Sequence, residues 1–340
     1  MTFTKEQIIK FIEELIIEPR KNLVKWSKIT DQTATLRIGY PGQHLASLVT
    51  GVKGEKSGAR GNDLSDGSEV KSCSRIDQLD KCNDCSSPVL RREEKCGSCE
   101  STDIKRNNDS KWLFTIRSED DLKTLVNNSN LDRILLIIDD YPNFDAGNYE
   151  DIRIQIFEIY PKKPRHKRFK EIMTNYYHKL YLEHKKKSIE KTPAPKNFWP
   201  HQYQFYICNP IKIFEATIKK AYTETPELVI NKWIKKEENR DEIESINMPP
   251  EILKKEEFKT ILDKAKEKEI IECLKDETSY DEFKELVTDN GDVEEIQSLF
   301  HTINETLRNH LNLRDTDKIS TSKTKYERRT TKANEPSPEK

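Results

Sequence analysis

Two groups of residues in this 340-residue chain have types and spacings suited to chemistry. The first is 82-CNDCSSPVLRREEKCGSC-99, in which two Cys-x-x-Cys pairs are separated by ten residues. Cys82, Cys85, Cys96 and Cys99 can close tetrahedrally on one zinc, and four thiolates leave no position for a substrate water. The zinc is therefore expected to be structural, folding an insert at 81–103 that is too small for a core of its own. Small residues in the knuckle Cys96-Gly97-Ser98-Cys99 would leave room for backbone amides to bond the thiolates. Two redox pairs, or unrelated buried thiols, are the alternative, but four soft ligands so close would capture zinc in a reducing cell.

The second group lies in 58-GARGNDLSDGSEVKSC-73. Ser65-Asp66-Gly67 suits a three-residue hairpin loop, a type I turn closed by a left-handed glycine. Leu64 then faces Ser68, Asp63 faces Glu69 and Gly61 faces Lys71, while period two puts Glu69 and Lys71 on one face. Asp63, Glu69 and Lys71 converge, and Asp66 is left at the tip as turn chemistry. A two-residue loop at Asp66-Gly67 would instead turn Asp63 to the other face. Two carboxylates held together are costly without a cation, and hard oxygen ligands with open positions suit magnesium. Such a site, with an ammonium beside it, points to phosphodiester hydrolysis. The bland alternative is a surface hairpin with solvated acids.

Asp63 with 69-EVK-71 resembles the PD-(D/E)xK nuclease motif. The wider run, 39-GYPGQHLASLVTG-51, then 62-NDLSDGSEVKS-72, then 134-ILLII-138, looks like a MutH-type core over roughly 100 residues. A cysteine insert directly after the Glu-x-Lys strand is similar to the MamI type of restriction endonuclease. By position, the resemblance implies that Asp63 and Glu69 bind magnesium with the Val70 carbonyl as a further ligand, and that Lys71 acts on the attacking water. Two positions depart from the pattern. Asn62 stands where proline precedes the aspartate, and Ala46 stands where MutH-like enzymes carry a further glutamate. Gln43 on the same helix is a candidate outer-shell ligand.

Elements must position these groups. An amphipathic helix is expected at 4–19, started by a Thr4/Gln7 capping box and stopped by Pro19, and a short helix at 41–51 ending on Gly51. Strand-like runs follow at 111–116, 133–141, 152–160 and 202–208, the third alternating as a half-buried strand does. The expected fold is α/β (α+β), a restriction-endonuclease-like mixed sheet flanked by helices, with an inserted zinc ribbon and a helical C-terminal region. Residues 1–33 form an N-terminal helical segment, 34–212 the nuclease core, 213–313 a charged helical region with a long helix at 251–276, and 314–340 a disordered basic tail.

Charged residues make up 35% of the chain and apolar residues 34%, with a net charge of −1. The sum hides an asymmetry of roughly +8 over 161–187 and roughly −12 over 237–300. A near-neutral total thus leaves a polyanionic partner open. On the basic helix expected at 167–187, Tyr176, Tyr177 and Tyr181 interleave with cations. Lys167, Arg168, Lys170 and position 180 are its candidate contacts to the DNA backbone. Arg91, Arg92 and Lys95 could touch phosphate or be solvated, and 139-DDYPNFD-145 reads as an acidic turn after a buried strand. No apolar run approaches a membrane span and no secretory signal is evident, so the chain is expected to be soluble and cytoplasmic, with its seven cysteines reduced.

Three function classes follow. A type II restriction endonuclease would cut double-stranded DNA with magnesium, as a homodimer matched to a palindromic site, beside a cognate DNA methyltransferase that acts on the same site. A repair or nicking nuclease of the same superfamily would cut one strand. A non-catalytic zinc-ribbon DNA-binding protein would bind without regard to magnesium or Lys71.

Overall fold

The apolar run at 134–138 has no polar face, so both sides of the strand it forms need covering. The computed structural model describes residues 3–30, 32–55, 62–127, 131–187 and 194–314. Its strands in chain order are β1 (Glu69–Ser74), β2 (Asp80–Cys82), β3 (Pro88–Val89), β4 (Ile104–Lys105), β5 (Trp112–Phe114), β6 (Ile134–Asp140), β7 (Ile152–Ile159), β8 (Lys196–Phe198), β9 (Ile211–Lys219) and β10 (Glu227–Trp233). A five-stranded mixed sheet has the order β1-β6-β7-β9-β10. Only β1 and β6 pair in parallel within it, Glu69 opposite Ile134, so β1 is an edge strand. Strands β2, β3 and β4 make the small sheet of the insert, and β5 pairs with β8.

The helices are α1 (Lys5–Ile12), α2 (Glu18–Thr30), α3 (Gly39–Thr50), α4 (Glu119–Val126), α5 (Lys167–Asn175), α6 (Leu182–Lys187), α7 (Tyr203–Tyr206), α8 (Lys255–Lys264), α9 (Glu267–Ile271), α10 (Tyr280–Thr288), α11 (Val293–Ser298) and α12 (Glu305–His310). Ile8, Ile12, Leu45 and Val49 of α1 and α3 pack with Val70, Leu135, Ile137 and Ile154 on one face of the sheet. On the other face Leu122, Phe169, Met173 and Phe258 join Cys73, Leu136, Ile138 and Phe157. The molecule is thus a mixed α+β fold with its sheet flanked by helices.

Several elements depart from expectation for physical reasons. The first helix does not stop at Pro19: a π-helical turn at Glu13–Ile17 widens the backbone just before it, and α2 carries on to Thr30. Strand β7 is buried almost throughout, not half-buried, because helices cover both faces. The segment 202–208 holds the helical turn α7 rather than a strand. The long helix expected at 251–276 breaks at Ala265 and Lys266, both extended, where the Glu269 carboxylate takes the Lys266 N–H and starts α9. The boundary expected at 212 falls inside β9, and β9 and β10 complete the sheet that the core was expected to contain. As an edge strand β10 keeps much of its surface in water, so its sequence ELVINKW does not stand out from the charged region. Of the tail expected at 314–340, only Arg314 lies within the described residues, paired with Glu257.

Helix α3 ends on Gly51 at φ +68°, as expected, and lies close on β1. A Cβ on Gly42 would stand 2.0 Å from Ser72 Oγ and 3.1 Å from Ser72 Cβ. Gly42→Ala should therefore cost about 1–3 kcal/mol through overpacking, against about 1 kcal/mol gained in helix propensity. Thermal unfolding should register a lower Tm, partly restored by adding Ser72→Ala; an unchanged or raised Tm in Gly42→Ala would refute the close packing.

Candidate functional site

The turn that positions the acidic group is the three-residue loop. Gly67 N–H donates to Leu64 O at 3.0 Å, Leu64 N–H to Ser68 O at 3.1 Å, and Gly67 has φ +85°. That is a type I turn closed by a glycine bulge. The arm before it does not run on as a long hairpin partner of β1. Glu55 N–H donates to Asp63 O and Ser65 N–H to Lys53 O, so 63–65 pairs with 53–55 instead. Gly61, expected opposite Lys71, and Gly58 lie outside the described residues.

Along β1 the Glu69 N–H bonds Arg133 O inside the sheet, so the Val70 N–H and C=O point off the free edge. Asp63 Oδ2 accepts the Val70 N–H at 2.7 Å, while the Gln43 side-chain amide donates to Asp63 Oδ1. Lys71 Nζ is bonded to Glu69 Oε1, with both side chains about a quarter exposed. Burial pushes the Glu69 carboxyl up, Lys71 pulls it down, and Asp63 adds to the rise. The two acids therefore feel one another's charge, as carboxylates that share a cation do. Asp63, Glu69 and the Val70 carbonyl offer oxygen donors only, the chemistry that suits magnesium. Ala46 is fully buried against the core and offers no ligand.

Asp66 is more than a loop tip. Its Oδ1 accepts from Ser68 N–H at 3.0 Å and its Oδ2 meets Arg133 Nη2 at 3.0 Å. Arg133 Nε also reaches Ser68 Oγ, and its Nη1 reaches the fully buried Glu158 at 2.6 Å. Sequence inspection missed Arg133; a lone arginine directly before a buried apolar strand was the available signal. It also missed Arg20, buried between Asp77 at 2.9 Å and Asp139. The run 139-DDYPNFD-145 is thus not a simple acidic turn: Asp139 and Asp140 belong to β6 and pair with Arg20 and Arg153.

In the insert, the Sγ atoms of Cys82, Cys85, Cys96 and Cys99 lie within 4.8 Å of one another, with Cys82 to Cys99 at 3.6 Å and Cys85 to Cys96 at 3.5 Å. Zn–S bonds of about 2.3 Å put tetrahedral sulfurs about 3.8 Å apart, so the donor set fits zinc. Hydrogen bonds from the Ser87 side chain and backbone pull the Cys85 thiol down to about 6, while the neighbouring thiols push Cys99 up, so Cys85 is the first of the cluster to become a thiolate. The knuckles share one geometry. Ser86 N–H bonds Cys82 O and Glu100 N–H bonds Cys96 O, with Ser86 and Glu100 both left-handed at φ +65° and +58°. A Cβ at Gly97 would meet nothing within 4 Å, and the left-handed position of this knuckle is Glu100. Cys73, Cys208 and Cys273 are buried.

The basic residues divide. Arg91 is buried, paired with Asp80 at 2.9 Å and lying over Phe144 and Tyr149, while Arg92 pairs with Glu150 and lies over Tyr222. These two fasten the insert to the core, while Lys95 is exposed. On the basic helix, Tyr176, Tyr177 and Tyr181 are core residues, not stacking platforms. Arg168 is held by Glu171 and the Leu311 carbonyl, so it anchors the C-terminal segment instead of reaching outward. Lys167 and Lys170 are exposed, Lys170 touching Asn127. Position 180 is Leu180, buried on the inner side; the exposed cation beside it is Lys179.

Residues 25–251, two thirds of the chain and the whole of this site, match the model of the MamI restriction endonuclease family. The chain belongs to that family. It is 36% identical over 84 residues to the type II restriction enzyme MamI of Microbacterium ammoniaphilum. That match covers 24% of this chain and 27% of the MamI enzyme, so the chain spans about a quarter of its curated relative. No solved structure matches it. No helix among the described residues is long and apolar enough to cross a membrane.

For the cysteine cluster, metal analysis of the purified protein should return about one zinc per chain, and Cys96→Ser should lose it and lower the Tm. A zinc-free chain at neutral pH whose Cys96→Ser variant melts normally would exclude the ribbon.

Proposed function

We propose that the protein is a magnesium-dependent type II restriction endonuclease that hydrolyses phosphodiester bonds at specific sites in double-stranded DNA. The observation that carries this is the Asp63 carboxylate bonded to the Val70 N–H at the free edge of β1, beside the Glu69–Lys71 pair, in a chain of the MamI family. Magnesium bound by Asp63, Glu69 and the Val70 carbonyl supplies a Lewis acid for the phosphoryl oxygens and acidifies bound water. Gln43 holds Asp63 from α3 and fixes its orientation as an outer-shell group. Lys71, held by Glu69 on the same face, directs the attacking water at phosphorus and stabilises the charge that develops as the leaving oxygen departs. Lys167, Lys170 and Lys179 lie on an exposed basic helix face suited to phosphate contacts. The working form is a homodimer, since a palindromic site mirrors two-fold symmetry, and it acts in the cytoplasm on DNA that a cognate methyltransferase protects.

Purified protein should cut unmodified plasmid DNA at defined sites with magnesium and leave it intact with EDTA. Lys71→Ala and Asp63→Ala should slow cleavage about a hundredfold or more and leave DNA binding largely intact. Asp66→Asn should spare cleavage and lower only the Tm, because its carboxylate serves Arg133 and Ser68. Full cleavage by both alanine variants would refute the site. Single-strand nicks would mark a nicking nuclease, and metal-indifferent binding without cleavage a DNA-binding protein.

A further inference from the structure

Beyond the metal-binding edge, the sheet face that carries Glu69, Lys71 and Cys73 opens into a polar cleft of about 590 Å³. Its walls come from Arg75 just past β1, Asp140 at the end of β6, Arg153 and Gln155 of β7, Lys212 of β9, and His201 before α7. Four residues separate Arg75 from Lys71, so the cleft starts about 13 Å along the strand from the proposed catalytic lysine.

Two of its cations are paired within the protein, while Arg75 meets only the Pro200 carbonyl among the described residues. Arg153 makes a two-pronged pair with Asp140 at 2.9 and 2.8 Å, and Lys212 meets Glu215 at 2.6 Å. The lining atoms that stay without a hydrogen bond are a mixture of donors and acceptors, Arg75 Nε and Asn108 Oδ1 among them. Gln155 is 4% exposed, and its Nε2 donates to Glu215 Oε2 at 2.9 Å. A carboxylate accepts only from the amide nitrogen, so this bond fixes the flip, and Gln155 Oε1 has no partner among the described residues. His201 Nε2 likewise makes no hydrogen bond, with the Asp140 carboxylate 3.8 Å away; the ring lies against Phe157, Phe205 and Tyr206, and its backbone is left-handed at φ +56°. Burial pushes His201 down to about 4, so the imidazole is neutral near pH 7 and offers one donor and one acceptor nitrogen. Buried polar atoms left open in a cleft cost stability unless a ligand completes them.

The ligand class follows from which atoms are open. A phosphate presents only acceptors, which would suit Arg75 Nε but leave the Gln155 Oε1 acceptor facing another acceptor. A base edge presents donors as well, and in the major groove the donor is an exocyclic amino group, N6 of adenine or N4 of cytosine. We propose that this cleft is the base-reading subsite of the protein, with Gln155 Oε1 accepting from the amino group of an adenine or cytosine and His201 Nε2 bonding the neighbouring base atom. Resting on the nuclease assignment above, this places the read base pair within about four steps of the cleaved bond, given a rise of about 3.4 Å per step.

The test uses the full chain and a pool of duplexes with a randomised core. Bound duplexes are sequenced after retention without cleavage, and the ends of cleaved duplexes are sequenced with magnesium. Gln155→Met keeps the length of the side chain and leaves Glu215 its Lys212 partner, and His201→Phe keeps the ring packing. With zinc content and Tm held near wild type, each variant should lower the preference for adenine or cytosine at one or two base pairs about tenfold, leaving the rest of the motif in place. An unchanged motif in both variants, or equal weakening on every duplex, would overturn the subsite. If the wild type enriches a motif that the variants relax but cuts nothing, the nuclease assignment fails and the subsite stands. If it cuts at a motif that neither variant alters, the subsite alone fails.

Discussion

The arrangement at the edge of the sheet depends on one buried guanidinium. Arg133 precedes β6 and spends its donors on the turn and on the sheet at once, reaching Asp66 and Ser68 on one side and Glu158 on the other. Its carbonyl accepts the Glu69 N–H, which sets the register of β1 against β6. Glu158 needs this partner as much as Arg133 does: it is fully buried and also takes Arg240 Nε at 2.8 Å and the Tyr160 hydroxyl at 2.9 Å. Removing one member of such a network leaves another charge buried without compensation, a loss of about 3–5 kcal/mol. Because register has period two, a slip of one residue at Arg133 would exchange Val70 for Glu69 and Lys71 on the face they share.

Much of this was legible in the sequence where local chemistry decides. Ser65-Asp66-Gly67 specified its turn because only glycine adopts the left-handed position without strain, and the Cys-x-x-Cys spacing specified its cluster because zinc geometry is rigid. Long-range partners were not legible. Nothing near Arg91 or Arg168 in the chain announces that one lies over Phe144 and the other holds Leu311. The tyrosines of the basic helix look like an interleaved surface when written in a line, but a π-helical turn at Tyr176–Tyr181 rotates them inward. Strand β10 escaped notice because an edge strand is half polar by necessity, and Pro19 misled because a widened turn absorbs what a regular helix rejects.

The candidate site divides in the same way. Asp63, Glu69 and Lys71 come from one short segment and could be inferred together. Gln43 needed α3 to be folded back onto β1, a contact that depends on the small size of Gly42 against Ser72. The polar cleft draws on residues from 75 to 247, and no window of sequence contains it.

The cysteine insert is tied shut at its base. Asp80, fully buried at its side chain, holds Arg106 at 2.8 Å and the Asn107 N–H at 2.7 Å, so the strands that leave and re-enter the body of the fold are clasped below the cysteine cluster. A segment whose ends are pinned together puts little demand on the body that carries it, because the entropy of closing it changes only slowly with its length. The stretch beyond that clasp is thus the part of this chain whose length can change while the edge at β1 keeps its shape.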